Sequence, residues 1–176
     1  MKIFPLLIAC SLGLATYTLT PNTKAHNQFN KDKVPSENEL NVNYRSLFKK
    51  FSKELKIDKT NKKALLSRAY AKGKINNYKG ALKDINSLIK MDSNFNAGAI
   101  YFRAWFHTNL KNYSEAMDDY SSLIEKNEYL KTSYSNRGFI KDILNNQKGA
   151  CSDWQKGGEL GNEKALTAFE NHCKSV

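Results

Sequence analysis

Residues 67–85 read SRAYAKGKINNYKGALKDI. Set beneath them, residues 102–120 read FRAWFHTNLKNYSEAMDDY and residues 136–154 read NRGFIKDILNNQKGACSDW. The small residues Ala69, Ala104 and Gly138 stand 35 and 34 positions apart, each preceded by an arginine (Arg68, Arg103, Arg137). Each is followed 12 positions later by Ala81, Ala116 or Ala150. An aspartate (Asp84, Asp119, Asp153) and a large apolar residue (Ile85, Tyr120, Trp154) come three and four positions after that alanine. Recurrence at one spacing marks a chain built from a repeated supersecondary unit.

The unit reads as two helices joined by a turn. Leu65, Leu66, Ala69 and Tyr70 recur at helical spacing in a first helix, and Ala81, Ile85, Leu88 and Ile89 form the apolar stripe of a second. Gly73 to Asn77 and Asn109 to Asn112 carry the turn residues between them. One such pair cannot bury its apolar face alone, so neighbours stack into a solenoid.

The period, the small residues Ala69, Ala104 and Gly138, the turn tyrosines Tyr78 and Tyr113, and the alanines Ala81, Ala116 and Ala150 resemble the tetratricopeptide repeat (TPR) family. The resemblance implies an all-α TPR-type α-solenoid of antiparallel helix pairs. Its repeats span 61–96, 97–130 and 131–162, with a C-terminal capping helix and tail over 163–176. Ser93 and Glu128 stand where the family commonly has proline. Residues 39–60 resemble a degenerate repeat, since Phe51 lies 34 before Ile85 and Leu47 to Leu55 match a second helix. In the capping helix, Asn162 is the expected N-cap, and Ala165, Leu166 and Phe169 form the face expected against the last repeat.

The chain has 176 residues and a formal net charge of +11. Few Gly and Pro argue against a turn-rich all-β fold, and 3 Cys argue against a disulfide-stapled miniature or a four-cysteine zinc domain. The charge is local. Arg45 to Lys83 holds 13 Lys/Arg against Glu54 and Asp58, and the remaining 15 basic and 15 acidic residues cancel.

Residues 1–25 read as a signal peptide or N-terminal anchor: a basic start, then an uncharged, mostly apolar run from Ile3 to Tyr17. That run is shorter than the roughly 20 residues a bilayer span needs. Cleavage after Ala25 is one reading; lipidation at Cys10, after Leu7-Ile8-Ala9, is another. Either predicts export, to a periplasmic or membrane-associated place, and disfavours nucleic acid as a partner. Residues 26–38 are polar and read as a flexible linker.

Cys151 lies near the start of a second helix and Cys173 near the end of the capping helix, so antiparallel packing would bring the sulfurs together in a disulfide. Two buried free thiols are the alternative. A metal site from Cys151, His172 and Cys173 lacks a fourth ligand. No glycine-rich phosphate loop, nucleophile elbow or paired-histidine metal motif occurs. No enzyme and no cofactor are expected. The repeating arginines and aspartates read as structural ion pairs between helices.

In the family this chain resembles, the first helices line a concave groove. Leu66 and Tyr70, Tyr101 and Trp105, and Ser135 and Phe139 fall four apart on one face of each first helix. Tyr70, Trp105 and Phe139 are therefore expected as an aromatic ladder for a peptide or protein segment. Ordinary packing between repeats is the competing reading. Leu66, Tyr70, Phe102, Thr132 and Asn136 occupy the places of the Lys/Asn/Arg set found in chaperone-tail-binding relatives, which disfavours a C-terminal carboxylate ligand. The function expected is a non-catalytic interaction module or scaffold in the bacterial cell envelope. The alternative is a peripheral membrane or polyanion binder that uses the basic segment, with Lys49, Lys50, Lys53, Lys62 and Lys63 foremost.

Overall fold

A computed structural model describes residues 43–91 and 97–174. The expectations for the leader, Cys10, the linker and Ser93 fall outside these residues. The described residues form eight helices: α1 (Tyr44–Ile57), α2 (Lys62–Lys74), α3 (Tyr78–Met91), α4 (Ala97–Asn109), α5 (Tyr113–Glu125), α6 (Leu130–Ile143), α7 (Gln147–Glu159) and α8 (Glu163–His172). No strand occurs among them. Each helix packs on the next in sequence, and α2 also touches α4 as α6 touches α8. This is a TPR-type solenoid. The first helices of successive pairs (α2, α4, α6) share one side, and α8 follows in the place of a further first helix.

The turn inside each pair is the same device three times. Asn76, Lys111 and Asn145 occupy equivalent positions and all adopt positive φ (61°, 62° and 58°). An asparagine follows at each: Asn77 and Asn146 accept from the amides of Gly80 and Gly149 at 3.0 Å and so cap α3 and α7. Asn112 departs, its side-chain amide lying 3.3 Å from His107 Nδ1 instead of capping α5.

The core lies between the helices of each pair and between pairs. Ala69, Ala104, Ala81, Ala116 and Ala150 are fully buried, where helix backbones come closest. The third repeat shows why its small residue is glycine. A Cβ on Gly138 would stand 2.6 Å from Trp154 Cδ1, so the larger ring there needs the smaller partner. In the first repeat the smaller Ile85 holds the register of Trp154, and the small residue there is Ala69. At the rear, α8 closes the stack with Ala165, Ala168 and Phe169 packed on Ala150 and Trp154. Leu166, expected on that face, is instead exposed. The run 165, 168, 169 is the tighter i, i+3, i+4 stripe, and it turns Leu166 toward the edge beside Gly158.

Candidate functional site

The repeating arginine and aspartate lock each first helix to its second. Arg68 Nε and Nη2 donate to Asp84 Oδ2 and Oδ1 at 2.9 and 2.7 Å. Arg103 grips Asp119 through the same two nitrogens at 2.9 and 2.5 Å, and Arg137 grips Asp153 at 2.8 Å through both. These are two-pronged pairs on buried carboxylates, the geometry in which guanidinium is most effective. Hydrogen bonding to Asp119 holds the Arg103 guanidinium above its ordinary pKa, against the opposing effect of burial, and Asp153 does the same for Arg137. Lys72 and Lys141 add a second cation to Asp84 and Asp153, each at 2.8 Å. His107 takes that position in the middle repeat. The clusters are thus spent on holding helices together.

These locks set which residues reach the first-helix side. Leu66 and Ser135 are buried, at 1% and 3% exposure, and offer no surface. Tyr70, Tyr101 and Trp105 are half-buried, and Phe139 is 38% exposed. The ladder residues are not in contact as one row. Tyr70 meets Phe102 edge-on at 5.5 Å, and Phe102 meets Trp105 at 6.4 Å. Tyr44, from α1, meets Tyr70 at 6.0 Å, and Tyr101 stacks on Tyr129 at 5.1 Å. Trp105 also leans on Tyr78 at 6.0 Å and fills the notch left by Gly73, whose missing Cβ would lie 2.8 Å from the indole. Phe139 stands apart, on Trp154 at 5.2 Å.

Two residues change the site: Phe102, expected only as a departure from the carboxylate-gripping set, and Ile143, which the repeat reading passed over. Phe102 occupies the register of Ser67 and Asn136, where a ring is not repeated, yet it joins Tyr70 to Trp105. Ile143, one helical turn beyond Phe139 on α6, is 55% exposed. Its register partners are Lys74 and Asn109, so an apolar residue at a polar position was the available signal. Leu144, the next residue, is also exposed.

Tyr120, behind this side, accepts a hydrogen bond from Asn136 Nδ2 at 3.1 Å, and burial pushes its phenol well above the ordinary tyrosine range. It is a pinned neutral hydroxyl. Among the described residues no group of His, Cys, Asp and Glu side chains could hold a metal ion, and no helix is long and apolar enough to cross a membrane. Cys151 and Cys173 are joined, with Cα atoms 5.7 Å apart, tying the end of α8 to the start of α7.

Of the basic residues, Lys49, Lys50 and Lys53 lie together along α1 and, with Ser46, Glu54 and Ile57, line an open cavity of about 450 Å³. Lys62 and Lys63 start α2, and Lys63 is exposed. Arg68 and Lys72, also in the basic segment, are already engaged by Asp84.

No family profile and no curated protein matches the chain. Solved structures do. A crystal structure of MamA superposes with a TM-score of 0.64 at 18% identity, over 73% of this chain and 71% of that one. A tetratricopeptide repeat protein from Parabacteroides merdae gives 0.60 at 21%, over 70% of this chain and 50% of the other. The first TPR domain of Spaghetti (RPAP3), solved with an HSP90 peptide, gives 0.59 at 21%, over 67% and 94%. At these identities the likeness is one of fold.

Proposed function

We propose that this chain is a non-catalytic protein–protein interaction module that holds a peptide or protein segment along the first-helix side. Tyr70, Tyr101, Trp105 and Phe139 line that side, and the binding energy centres on Phe139 and Ile143. The observation that carries this reading is the exposure of Phe139 and Ile143, 38% and 55%, four residues apart on α6. Large apolar side chains grouped on a surface are costly to leave in water and are typical of binding anchors. Tyr70 and Trp105 hold the same register but are partly spent on packing, so they set the shape of the site more than its affinity. A TPR neighbour bound to a peptide supports the mode of binding. Leu66, Tyr70, Phe102, Thr132 and Asn136 stand where the resemblance to chaperone-tail-binding relatives would put a Lys/Asn/Arg set, which argues for an apolar anchor in place of a free C-terminus.

The apolar run of residues 3–17 supports a place outside the cytosol, in the cell envelope. Capture from envelope extract with wild type and a Phe139→Ala, Ile143→Ala variant tests the site. The variant is expected to lose the partners that wild type recovers. Equal recovery from both counts against the reading.

A further inference from the structure

The helix α1 is a second helix with no first helix among the described residues. It packs on α2 as α3 packs on α4, and its Phe51 is buried like Ile85, 34 residues on. That register assigns the rest of α1. Ser46 corresponds to Gly80, Lys50 to Asp84, Glu54 to Leu88 and Ile57 to Met91. In α3 this row faces its own first helix: Gly80 accepts from Lys72 at 3.1 Å, Asp84 holds Arg68, and Leu88 is buried. In α1 the same row lines the open cavity, flanked by Lys49 and Lys53. Among the described residues no first helix lies against it.

The substitution at the key position reverses the charge. Every other second helix presents an aspartate to an arginine: Asp84 to Arg68, Asp119 to Arg103, Asp153 to Arg137. Helix α1 presents Lys50, whose Nζ lies over the Phe51 ring at 5.8 Å. Lys49 and Lys53 add two exposed cations, and no ion pair is formed by any of the three among the described residues. At the far end Ile57 is 90% exposed. We propose that this face is a docking seat for an acidic helix of a partner protein, which takes the place of a first helix and sets a carboxylate against Lys50.

Charge complementarity selects that occupant. A basic first helix, of the kind the chain itself makes, would bring arginine against lysine, which is repulsive. A helix with Asp or Glu at the arginine position restores the pair with its signs exchanged. The chain's own residues 28–40 fall in the register of a first helix, but they put Val34 at the arginine position, followed by Pro35, and so offer no carboxylate there. The seat lies on α1 and is independent of Phe139 and Ile143 on α6.

The test uses the full chain and two stapled helical peptides copied from the 13 residues of α2. One keeps the α2 sequence; the other carries Arg68→Glu and Lys72→Glu. Binding is read by fluorescence anisotropy at about 0.15 M salt, where diffuse surface attraction is screened. The peptide with the two glutamates is expected to bind about tenfold more tightly than its parent, which corresponds to roughly 1.4 kcal/mol. Lys50→Glu is expected to reverse that preference, and Lys79→Glu, an exposed charge change elsewhere, to leave it intact. Binding of neither peptide overturns the proposal, since the seat is then closed or filled by the chain's own upstream residues. So does an equal effect of the two substitutions. Capture by phosphatidylglycerol vesicles, without discrimination between the peptides, also overturns it and assigns the face to a lipid surface.

Discussion

Trp105 and Phe139 occupy the same position in successive repeats, yet one is tucked in and the other stands out. Trp105 has Gly73 beneath it, Tyr78 beside it and Phe102 one turn before it. Phe139 has Trp154 on one side and solvent on the other. The middle of the first-helix side is therefore an aromatic core that reaches the surface. The rear is an apolar patch resting on a core. Register decides where a side chain points; the neighbouring repeat decides whether it is covered. On the proposed function, the middle would contribute rigidity and the rear affinity.

The ion pairs offer the largest test of the contrast. Asp153 is held by Arg137 and Lys141, and Asp119 by Arg103 without a lysine among the described residues. Removing a buried carboxylate strands its cations, at about 3–5 kcal/mol. Chemical denaturation is expected to place Asp153→Ala near the top of that range and Asp119→Ala near the bottom. Equal losses would remove the distinction between the two repeats.

Next comes Trp105→Ala, expected to cost about 3 kcal/mol in the same measurement, because it leaves the notch at Gly73 to Phe106 alone and removes a ring that Phe102 and Tyr78 pack on. Cys173→Ser is expected to cost about 2–4 kcal/mol by releasing the covalent tie on α8. Hydrogen exchange should then quicken in residues 163–172 and stay unchanged in α4 and α5. Smallest is Phe139→Ala, about 1 kcal/mol or less, since its ring already meets water on one side. If Phe139→Ala destabilised the chain as much as Trp105→Ala, the two halves would be alike and the rear patch would be core.

Much of this architecture was legible beforehand. Repetition of Arg68-Ala69 and its copies revealed the helix pairs, and the Arg–Asp spacing of 16 residues anticipated which charges meet. Cys151 and Cys173 were placed by the same topology. The surface was less legible. Leu66 and Ser135 share a face with Tyr70 and Phe139 by helical periodicity, but a face is wide, and these two turn toward the packed side. Ile143 was missed, and Phe102 was placed on the groove without its part in joining Tyr70 to Trp105, because both break the repeat, and a reading built on recurrence looks past residues that do not recur. In α1 the same habit hid Lys50. It stands out only when the register of the complete pairs is carried back onto a helix with no first helix among the described residues.

The central claim, that the exposed rear of the first-helix side is where a partner binds, is tested most directly by site-specific photo-crosslinking in cells. A benzophenone amino acid placed at position 139 or 143 should yield a discrete adduct, identifiable by mass. The same group at Asp118, exposed on α5, should yield none. Adducts of equal intensity from all three positions, or from Asp118 alone, would contradict the account.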